Sequence, residues 1–355
     1  MILTYKIRHG RDFSEELAKA RQVAAFAITH RDCLSSKFVK HLGLKSAIAN
    51  QILRKYGRDR RCQQVRRVNL IVPGQSIHVD QSARLIRIPC LALCLSYQFR
   101  NDFQRIHQIE LNAEFACVSV SVGEPPCIPS PQAIGVDLNA TGHVAVCAVP
   151  STGKVYKLGK RAPHVHRQYK SMRRTLQKRG QYRQLKQLKR RESRIVRDIN
   201  HKISQALVTI AFQTGSSIKL EHLAGIRQRA PSTKRFRYAL NSWSFFQLAR
   251  FIEYKATLRG VEVLFVDPAY SSQDCSRCGT RGTRNGKTFQ CPACGHADHA
   301  DANASFNLAQ RLSSMGRSDR LHRDSDRCKG NPDLPGGATV RSSPTPEPHD
   351  LQSWE

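Results

Sequence analysis

The sequence predicts an α/β domain that follows a small β-barrel, and three observations support this architecture. Residues 68–122 hold short β-rich runs separated by Pro, Gly, Asp and Asn, the pattern of a small antiparallel barrel. The proline-rich segment 123–132 is typical of a linker between domains. From residue 133 to residue 268, short apolar runs alternate with long helical ones, which indicates a mixed α/β layer.

The first half of the chain combines strands with one helical stretch. The run ILTYKIR at residues 2–8 is typical of a strand, whereas residues 14–58 place apolar side chains at helical spacing among many lysines and arginines. We therefore assign residues 1–10 and 68–122 to the β-barrel and residues 11–67 to a basic helical insertion.

The α/β half begins directly after the linker. Residues 133–149 read as an apolar strand that ends on Asp137, then a turn and a second strand. A carboxylate at the end of a buried strand is costly unless it binds something cationic. Residues 161–202 hold 15 Lys/Arg and only two acidic residues at helical spacing, and Gly180 marks a turn between two helices. The apolar phase continues in residues 195–212, so one face of the second helix packs and the other is basic.

Three more elements and a tail complete the chain. Residues 216–226 read as a short apolar strand that carries Glu221, residues 242–260 as a helix and residues 261–268 as a strand. The tail, residues 312–355, is polar, nearly neutral and rich in Pro, Gly and Ser. We expect this tail to be disordered and dispensable.

Two cysteine pairs follow the last of these strands. Cys275 and Cys278 form one Cys-x-x-Cys pair, Cys291 and Cys294 form another, and 12 residues separate the pairs. Four thiolates at this spacing can converge tetrahedrally on one Zn²⁺, as in a closed structural site. A glycine behind each pair eases the turn that exposes backbone N–H groups to the sulfurs. The alternative is four ordinary buried or redox-active cysteines, but the paired spacing favours a zinc ribbon over residues 269–298.

The rest of the composition is typical of a cytoplasmic protein. The other eight cysteines show no framework spacing, which fits a reducing compartment. No run of 18 uncharged apolar residues is present, and the first residues, MILTYKIRHGRDF, become charged too early for a secretory signal. We therefore expect a cytoplasmic location and no membrane partner.

The chain is strongly basic. It contains 58 Lys+Arg against 27 Asp+Glu, a formal net charge of +31 on 355 residues. Each neutralised phosphate releases condensed counterions, so this excess favours a nucleic acid partner over a small metabolite. The alternative is a solvated basic surface with no partner. Within the helical segment, the side chains that we predict to contact nucleic acid are Arg173, Arg174, Lys186, Lys189 and Arg190.

Three acidic residues are distinguished by their positions. Asp137 and Glu221 end apolar strands, and Asp301 lies at the start of a helix, at separations of 84 and 80 residues. Each alone is ordinary, and Asp301 would also serve as a plain N-cap. Together they indicate a carboxylate cluster at one end of a mixed sheet, with the hard oxygen ligands that suit Mg²⁺. Two Mg²⁺ ions about 4 Å apart can activate water and stabilise the departing oxygen of a phosphodiester, so the sequence predicts a Mg²⁺-dependent nuclease.

These motifs resemble a known family. The segments GVDLN, KLEHLAGI and HADANAS, interrupted by DPAYSSQDCSRCG and CPACGH, resemble the TnpB (OrfB) proteins encoded by insertion sequences, whose nuclease architecture is shared by the type V CRISPR effectors. The resemblance is specific over residues 133–311 and looser over residues 1–122. It implies an RNase H-like (RuvC) nuclease domain, residues 133–268 and 299–311, that is split by the zinc ribbon.

The resemblance also implies roles for residues and partners. Asp137, Glu221 and Asp301 would be the catalytic metal ligands, and the four cysteines would bind zinc. Asn303 matches a DxN pattern, in which it would orient a ligand or cap the helix. The barrel and the helical insertion would correspond to wedge and recognition regions, which grip guide RNA and the short motif beside the target. The implied partners are guide RNA and target DNA.

The sequence leaves three functional hypotheses open. The first is an RNA-guided DNA endonuclease of insertion-sequence origin; a miniature type V CRISPR effector differs from it only in the source of the RNA. The second is a nuclease-inactive, RNA-guided DNA binder, which the presence of all three acidic residues disfavours. The third is a transposase-type protein that joins strands at element ends without a guide.

Overall fold

The computed structural model describes residues 1–223, 244–312 and 338–340. These residues divide into two compact units, with the boundary between Gly123 and Glu124, at the start of the predicted linker. The first unit also includes the short strand at residues 338–340. No helix among the described residues is both long enough and apolar enough to cross a membrane.

Parts of three predicted elements lie outside the described residues. They are residues 224–226 of the predicted strand, residues 242–243 of the predicted helix, and residues 313–337 and 341–355 of the predicted tail. Within that tail, Ala338–Val340 forms a strand.

The first unit contains eight described strands in two sheets. The strands are β1 (Ile2–Arg8), β2 (Leu70–Pro73), β3 (His78–Asp80), β4 (Leu85–Ile88), β5 (Leu93–Ser96), β6 (Phe103–Leu111), β7 (Phe115–Val122) and β16 (Ala338–Val340). One sheet has the order β16–β1–β7–β6–β2 and the other the order β3–β4–β5. The pairing is antiparallel throughout, except that β16 is parallel to β1.

The strands of the predicted barrel therefore form two separate hydrogen-bonded sheets. A 3₁₀ turn at Gly74–Ser76 redirects the chain after β2, so β3 starts a separate ladder. In β7, every second residue is buried, the pattern of a strand with one face on a core. The helices α1 (Ser14–Thr29) and α2 (Ser46–Arg58), with a 3₁₀ helix at Ser36–Leu42 between them, come between β1 and β2 along the chain.

The second unit contains the remaining elements. In chain order they are β8 (Ala133–Leu138), β9 (Ala145–Val149), β10 (Lys154–Leu158), α3 (Arg161–Lys178), α4 (Tyr182–Gln213), β11 (Ser217–Glu221), α5 (Phe245–Thr257), β12 (Val263–Val266), β13 (Thr283–Asn285), β14 (Thr288–Gln290), β15 (Ala297–His299) and α6 (Ala300–Gln310). Its main sheet has the order β10–β9–β8–β11–β12, and β13–β14–β15 form a separate small sheet.

The main sheet is covered by helices on both faces. Strands β8, β9 and β10 form an antiparallel meander, whereas β11 pairs parallel with both β8 and β12. All residues of β8 and β9 are buried, which is typical of strands covered on both sides. The even-numbered residues of β8, such as Ile134 and Val136, pack in a core cluster with side chains from α3, α4 and α5. Because side chains alternate along a strand, the odd-numbered residues face α6.

Helix α6 lies unusually close to the sheet at Gly135. A Cβ atom at this position would lie 1.9 Å from the Ser305 carbonyl oxygen and 2.5 Å from the Ala309 backbone nitrogen. Only glycine permits this approach, because both obstacles are backbone atoms. The single O–H of Ser305 is shared between the carbonyl oxygens of Val146 and Asp301, at 2.9 and 2.7 Å. The sheet therefore determines how closely α6 packs against it.

Candidate functional site

The strand register brings Asp137 and Glu221 side by side. Parallel strands β8 and β11 pair Val136 with Leu220, so the next residue of each strand ends at the same edge of the sheet. Paired residues of β8 and β11 are always 84 positions apart in the chain, which is also the separation between Asp137 and Glu221. Both side chains face α6, and both residues are 8% exposed.

The two carboxyl groups are hydrogen-bonded to each other. Burial raises the pKa of Glu221 well above its usual range, and the charge and hydrogen bond of Asp137 raise it further. Burial also raises the pKa of Asp137, but the hydrogen bond from Glu221 opposes this effect. The arrangement fits a protonated Glu221 that donates to the Asp137 carboxylate. Two buried acids that share a proton offer oxygen ligands that a divalent cation could bind in place of that proton.

Asp301 completes the cluster from α6. It lies in the first turn of the helix, is 3% exposed, and is close enough for its charge to raise the pKa of Asp137. The N-cap of α6 is His299, whose Nδ1 accepts a hydrogen bond from the Asp301 backbone N–H at 3.3 Å. The carboxylate of Asp301 is thus available to the cluster, and the plain N-cap interpretation of this residue does not apply. The structure therefore places Asp137 beside Glu221, and the charge of Asp301 acts on Asp137.

Two residues of the cluster were missed by the sequence analysis. Asn139 donates a hydrogen bond from Nδ2 to Asp137 Oδ2 at 2.7 Å. The Lys287 ammonium lies 2.8 and 2.6 Å from the two carboxylate oxygens of Asp301 and 3.4 Å from Asn139 Oδ1. A signal for Asn139 was present, since Asp-x-Asn occurs both at residues 137–139 and at residues 301–303. Nothing in the sequence pattern indicated Lys287.

A tight hairpin positions Lys287. Strands β13 and β14 pair Asn285 with Thr288, which leaves Gly286 and Lys287 as a two-residue loop. Gly286 has φ of 61°, the left-handed value that the first position of such a loop demands and that glycine adopts without strain. The loop thereby directs Lys287 toward Asp301, with Arg284 a further 3.8 Å ion-pair partner of the same carboxylate.

The four predicted zinc ligands also converge. Their sulfur atoms all lie within 4.8 Å of one another, with Cys275–Cys294 at 3.6 Å and Cys278–Cys291 at 3.5 Å. Tetrahedral Zn²⁺ with bonds of about 2.3 Å would hold its sulfurs roughly 3.8 Å apart. The cluster is therefore compatible with a four-cysteine zinc site.

The pKa values of two thiols in this cluster are shifted in opposite directions. Hydrogen bonds from the Thr280 backbone and side chain, then from neighbouring sulfurs, lower the pKa of Cys278 to about 6. The His296 backbone N–H lowers the pKa of Cys294, but bonds to the other sulfurs outweigh it and raise that pKa to about 12. A metal ion that bound all four sulfurs as thiolates would replace the shared protons.

The side chain of Asn303 contacts the ribbon backbone. It is fully buried; its Oδ1 accepts from the Ser276 backbone N–H at 2.9 Å, and its Nδ2 donates to the Asp274 carbonyl at 2.7 Å. The side chain therefore binds the backbone on either side of Cys275. It does not cap α6, whose N-cap is His299.

The predicted nucleic acid contacts lie on the α3–α4 hairpin and fall into two groups. Arg173 is only partly exposed and pairs with Glu192, a buried residue of α4 that also bonds His166 at 2.8 Å. The other four predicted side chains are exposed on the same two helices, namely Arg174, Lys186, Lys189 and Arg190. The second group alone presents charge directly to solvent.

The second unit is thus an α/β unit with an acidic cluster and an adjoining four-cysteine ribbon. Comparison with known proteins finds relatives among TnpB-like and Cas12f proteins. The family model "Cas12f1-like, TNB domain" matches residues 245–308. A TnpB-like protein of Methanocaldococcus jannaschii is 38% identical over 128 residues, which cover 36% of this chain and 46% of the relative. A CRISPR-associated endodeoxyribonuclease Cas12f1 of Sulfoacidibacillus thermotolerans is 32% identical over 195 residues, which cover 50% of this chain and 44% of the relative.

The chain spans less than half the length of these two curated relatives. A cryo-EM structure of a Cas12f1–sgRNA–target DNA complex aligns with a TM-score of 0.43 at 16% identity, covering 87% of this chain and 99% of that chain. The matches in sequence confirm the resemblance to the TnpB family and to the related type V Cas12f effectors.

Proposed function

We propose that this chain is an RNA-guided DNA endonuclease of insertion-sequence origin that hydrolyses target DNA at the acidic cluster. The observation that carries the proposal is that Asp137 and Glu221 end adjacent parallel strands of the main sheet, with the charge of Asp301 acting on Asp137. Guide RNA and target DNA are the proposed partners, as in the complex named for the Cas12f1 neighbour.

The three acids are the proposed ligands of catalytic Mg²⁺, and their chemistry fits that ion. Carboxylate and amide oxygens are hard donors, and the cluster offers several of them in a buried space. When bound, two Mg²⁺ ions would polarise the attacked phosphate and lower the pKa of the water that attacks it. The four sulfurs are the proposed ligands of structural Zn²⁺.

The protein's own side chains would prepare this cluster. Asn139 fixes one oxygen of Asp137 by its 2.7 Å hydrogen bond, and His299 fixes the backbone of Asp301. Lys287 balances the charge of Asp301. The buried position of Glu221 excludes bulk water from one side of the cluster, which strengthens each of these electrostatic contacts.

The domain assignment extends the same proposal. The second unit would be the RNase H-like (RuvC) nuclease with its inserted zinc ribbon, and the first unit would be the wedge and recognition region. The strand order β10–β9–β8–β11–β12, an antiparallel meander followed by parallel strands, supports this assignment for the second unit. The exposed cations of α3 and α4 would contact the nucleic acid backbone.

The test is cleavage by protein purified from cells that carry the gene with its flanking DNA. RNA that copurifies is sequenced, and a plasmid with the matching target is incubated with the complex and Mg²⁺. We expect the wild type to cleave the target. Asp137→Ala should raise the activation free energy of cleavage by about 4 kcal/mol, which lowers the rate roughly a thousandfold. Asp198→Ala is the matched control, because Asp198 is a half-exposed acid of α4 that pairs only loosely with Lys202 at 3.7 Å.

The outcomes separate the three hypotheses. One discrete RNA with cleavage that needs Asp137 supports the proposal. One discrete RNA with target binding but no cleavage under any Mg²⁺ condition would establish the nuclease-inactive binder. Strand-joined products from protein that carries no RNA would establish the guide-free transposase.

A further inference from the structure

Helix α6 belongs to both candidate metal clusters at once. Strand β15, the last strand of the ribbon, ends at His299, and α6 begins at the next residue. Ala300 is fully buried in the small ribbon core with Cys275, Phe289 and Cys291. One residue further on, Asp301 lies in the acidic cluster. The first turn of α6 therefore connects the ribbon core to the acidic cluster directly.

Two asparagine side chains of α6, Asn303 and Asn307, form hydrogen bonds to the ribbon segment around the first cysteine pair. Asn303 pairs with Ser276 and Asp274 through both atoms of its amide. Asn307, one turn later, donates to the carbonyls of Ser271 and Asp274 at 2.7 Å each. The amide of Asn303 supplies both a donor and an acceptor, whereas Asn303→Asp would place a carboxylate against the Asp274 carbonyl and lose that bond.

The hairpin loop attaches the ribbon to α6 on the other side. The Lys287 carbonyl accepts a hydrogen bond from the Ala300 backbone N–H at 2.8 Å, and the Lys287 ammonium pairs with Asp301. The start of the helix is thus held between the first cysteine pair and the β13–β14 loop. Both are parts of the ribbon.

We propose that Asn303 is a positioning residue that couples the four-cysteine site to the acidic cluster, so that metal bound at one cluster raises the affinity of the other. The backbone around Cys275 is ordered by the thiolates that bind the metal. Through its two hydrogen bonds to this backbone, Asn303 holds the first turn of α6 in place, and that turn positions the Asp301 carboxylate. This inference rests on the proposed metal-dependent nuclease.

Linkage makes the coupling reciprocal. If zinc improves the geometry of Asp301 for Mg²⁺, then Mg²⁺ must strengthen zinc binding by the same factor. The effect is measurable without any catalytic reaction. A contact that only stabilised the ribbon would change zinc affinity equally in the presence and absence of Mg²⁺.

The experiment is equilibrium competition for zinc between the full chain and the chromogenic chelator 4-(2-pyridylazo)resorcinol, with and without Mg²⁺. We expect Mg²⁺ to raise the zinc affinity of the wild type by about tenfold, within the usual range of such couplings. Asn303→Asp should still bind zinc but lose most of this Mg²⁺ effect. Gln81→Glu, which makes the same amide-to-carboxylate change at an exposed position of the first unit, should keep it.

Calorimetric titration of zinc-loaded protein with Mg²⁺ separates the possible failures. If Mg²⁺ binds and Asp137→Ala abolishes that binding, yet wild-type zinc affinity does not respond to Mg²⁺, the coupling is wrong and the nuclease proposal stands. If Mg²⁺ does not bind the zinc-loaded protein, both are overturned. The wild-type comparison needs no substitution, so it decides the coupling even if Asn303→Asp fails to fold.

Discussion

The four-cysteine cluster and the acidic cluster are adjacent in the structure but are built in opposite ways. All four cysteines lie within the 20 residues from Cys275 to Cys294, and each pair is formed by one local turn. The acids come from residues 137, 221 and 301, and they meet only because two parallel strands share a register and a helix packs against them. A cluster built locally is encoded in spacing, whereas a cluster built by a sheet depends on the whole domain.

Two buried glutamates extend this comparison to charge. Glu221 faces another carboxyl group, and burial followed by that neighbour raises its pKa. Glu192 is equally buried, but the bonds from His166 and Arg173 outweigh the burial and lower its pKa. Burial of a carboxylate is therefore not enough to indicate a metal site. Among the described residues, Glu192 has two ion-pair partners whereas Glu221 bonds a second acid, and this distinguishes a structural ion pair from the candidate site.

The largest expected effect is on the local cluster. Cys275→Ser removes a buried thiolate ligand, and structural zinc contributes about 10 kcal/mol or more to the folding of small zinc modules. We expect bound zinc, measured by elemental analysis, to fall from one ion per chain to none. Cys94→Ser, at an exposed cysteine of the first unit, should leave the content at one. Unchanged zinc in Cys275→Ser would contradict the four-ligand site.

Gly135→Ala tests the non-local cluster while leaving the cysteines alone. The added methyl would meet the backbone of Ser305 and Ala309, so α6 must shift, at a cost of about 1–3 kcal/mol in the free energy of unfolding. Because a displacement of about 1 Å can cost roughly a hundredfold in rate, we expect cleavage to fall by about that factor. Zinc content should remain one ion per chain.

The control for this variant is Gly123→Ala, where an added methyl has nothing closer than 3.9 Å. It should keep wild-type cleavage. If Gly135→Ala also cleaved at the wild-type rate, the acidic cluster would not depend on the close packing of α6.

A smaller effect, on the free energy of unfolding, is expected at Glu192, a buried acid that pairs with His166 and Arg173. Glu192→Gln removes the charge that Arg173 and His166 bind, which should lower the free energy of unfolding by about 2 kcal/mol. The pKa of Glu192 is lowered in the folded state, so its contribution is complete above its usual pKa of 4.5 and is lost as the pH falls below that value.

Urea unfolding of wild type and variant across pH measures this difference. The gap between them should close below pH 4.5. Asp198→Asn, at an exposed pair on the same helix, should change stability by no more than about 0.5 kcal/mol at any pH. A gap for Glu192→Gln that stayed constant into the acid range would mean that the ion pairs do not stabilise the hairpin.

The smallest effect per residue is expected on the exposed basic face. Replacing Arg174, Lys186, Lys189 and Arg190 together with Gln should weaken nucleic acid binding. The slope of log affinity against log salt should fall by roughly one for each phosphate that the variant no longer neutralises. Arg173→Gln should instead lower the stability of the hairpin, because Arg173 is paired with Glu192. Equal slopes for the fourfold variant and the wild type would leave these helices without a role in binding.

The resemblance drawn from short motifs was confirmed, whereas several contacts of the site were not predictable. GVDLN and HADANAS identified two acids, but the bond from Asn139 to Asp137 depends on a turn that the pattern does not specify. Lys287 reaches Asp301 only because a glycine-containing loop and the start of α6 meet in space. The four-cysteine spacing, by contrast, was sufficient to predict a compact cluster.

The sequence by itself determined the four-cysteine cluster and the basic character of α3 and α4, because spacing, charge and periodicity are local properties of the chain. Tertiary structure alone decided that Asn303 binds the backbone around Cys275 and that Arg173 is held by Glu192. It also decided that Gly135 allows α6 to approach the sheet. These contacts join residues that are far apart in the chain, and their partners are determined by packing and register, which no local pattern contains.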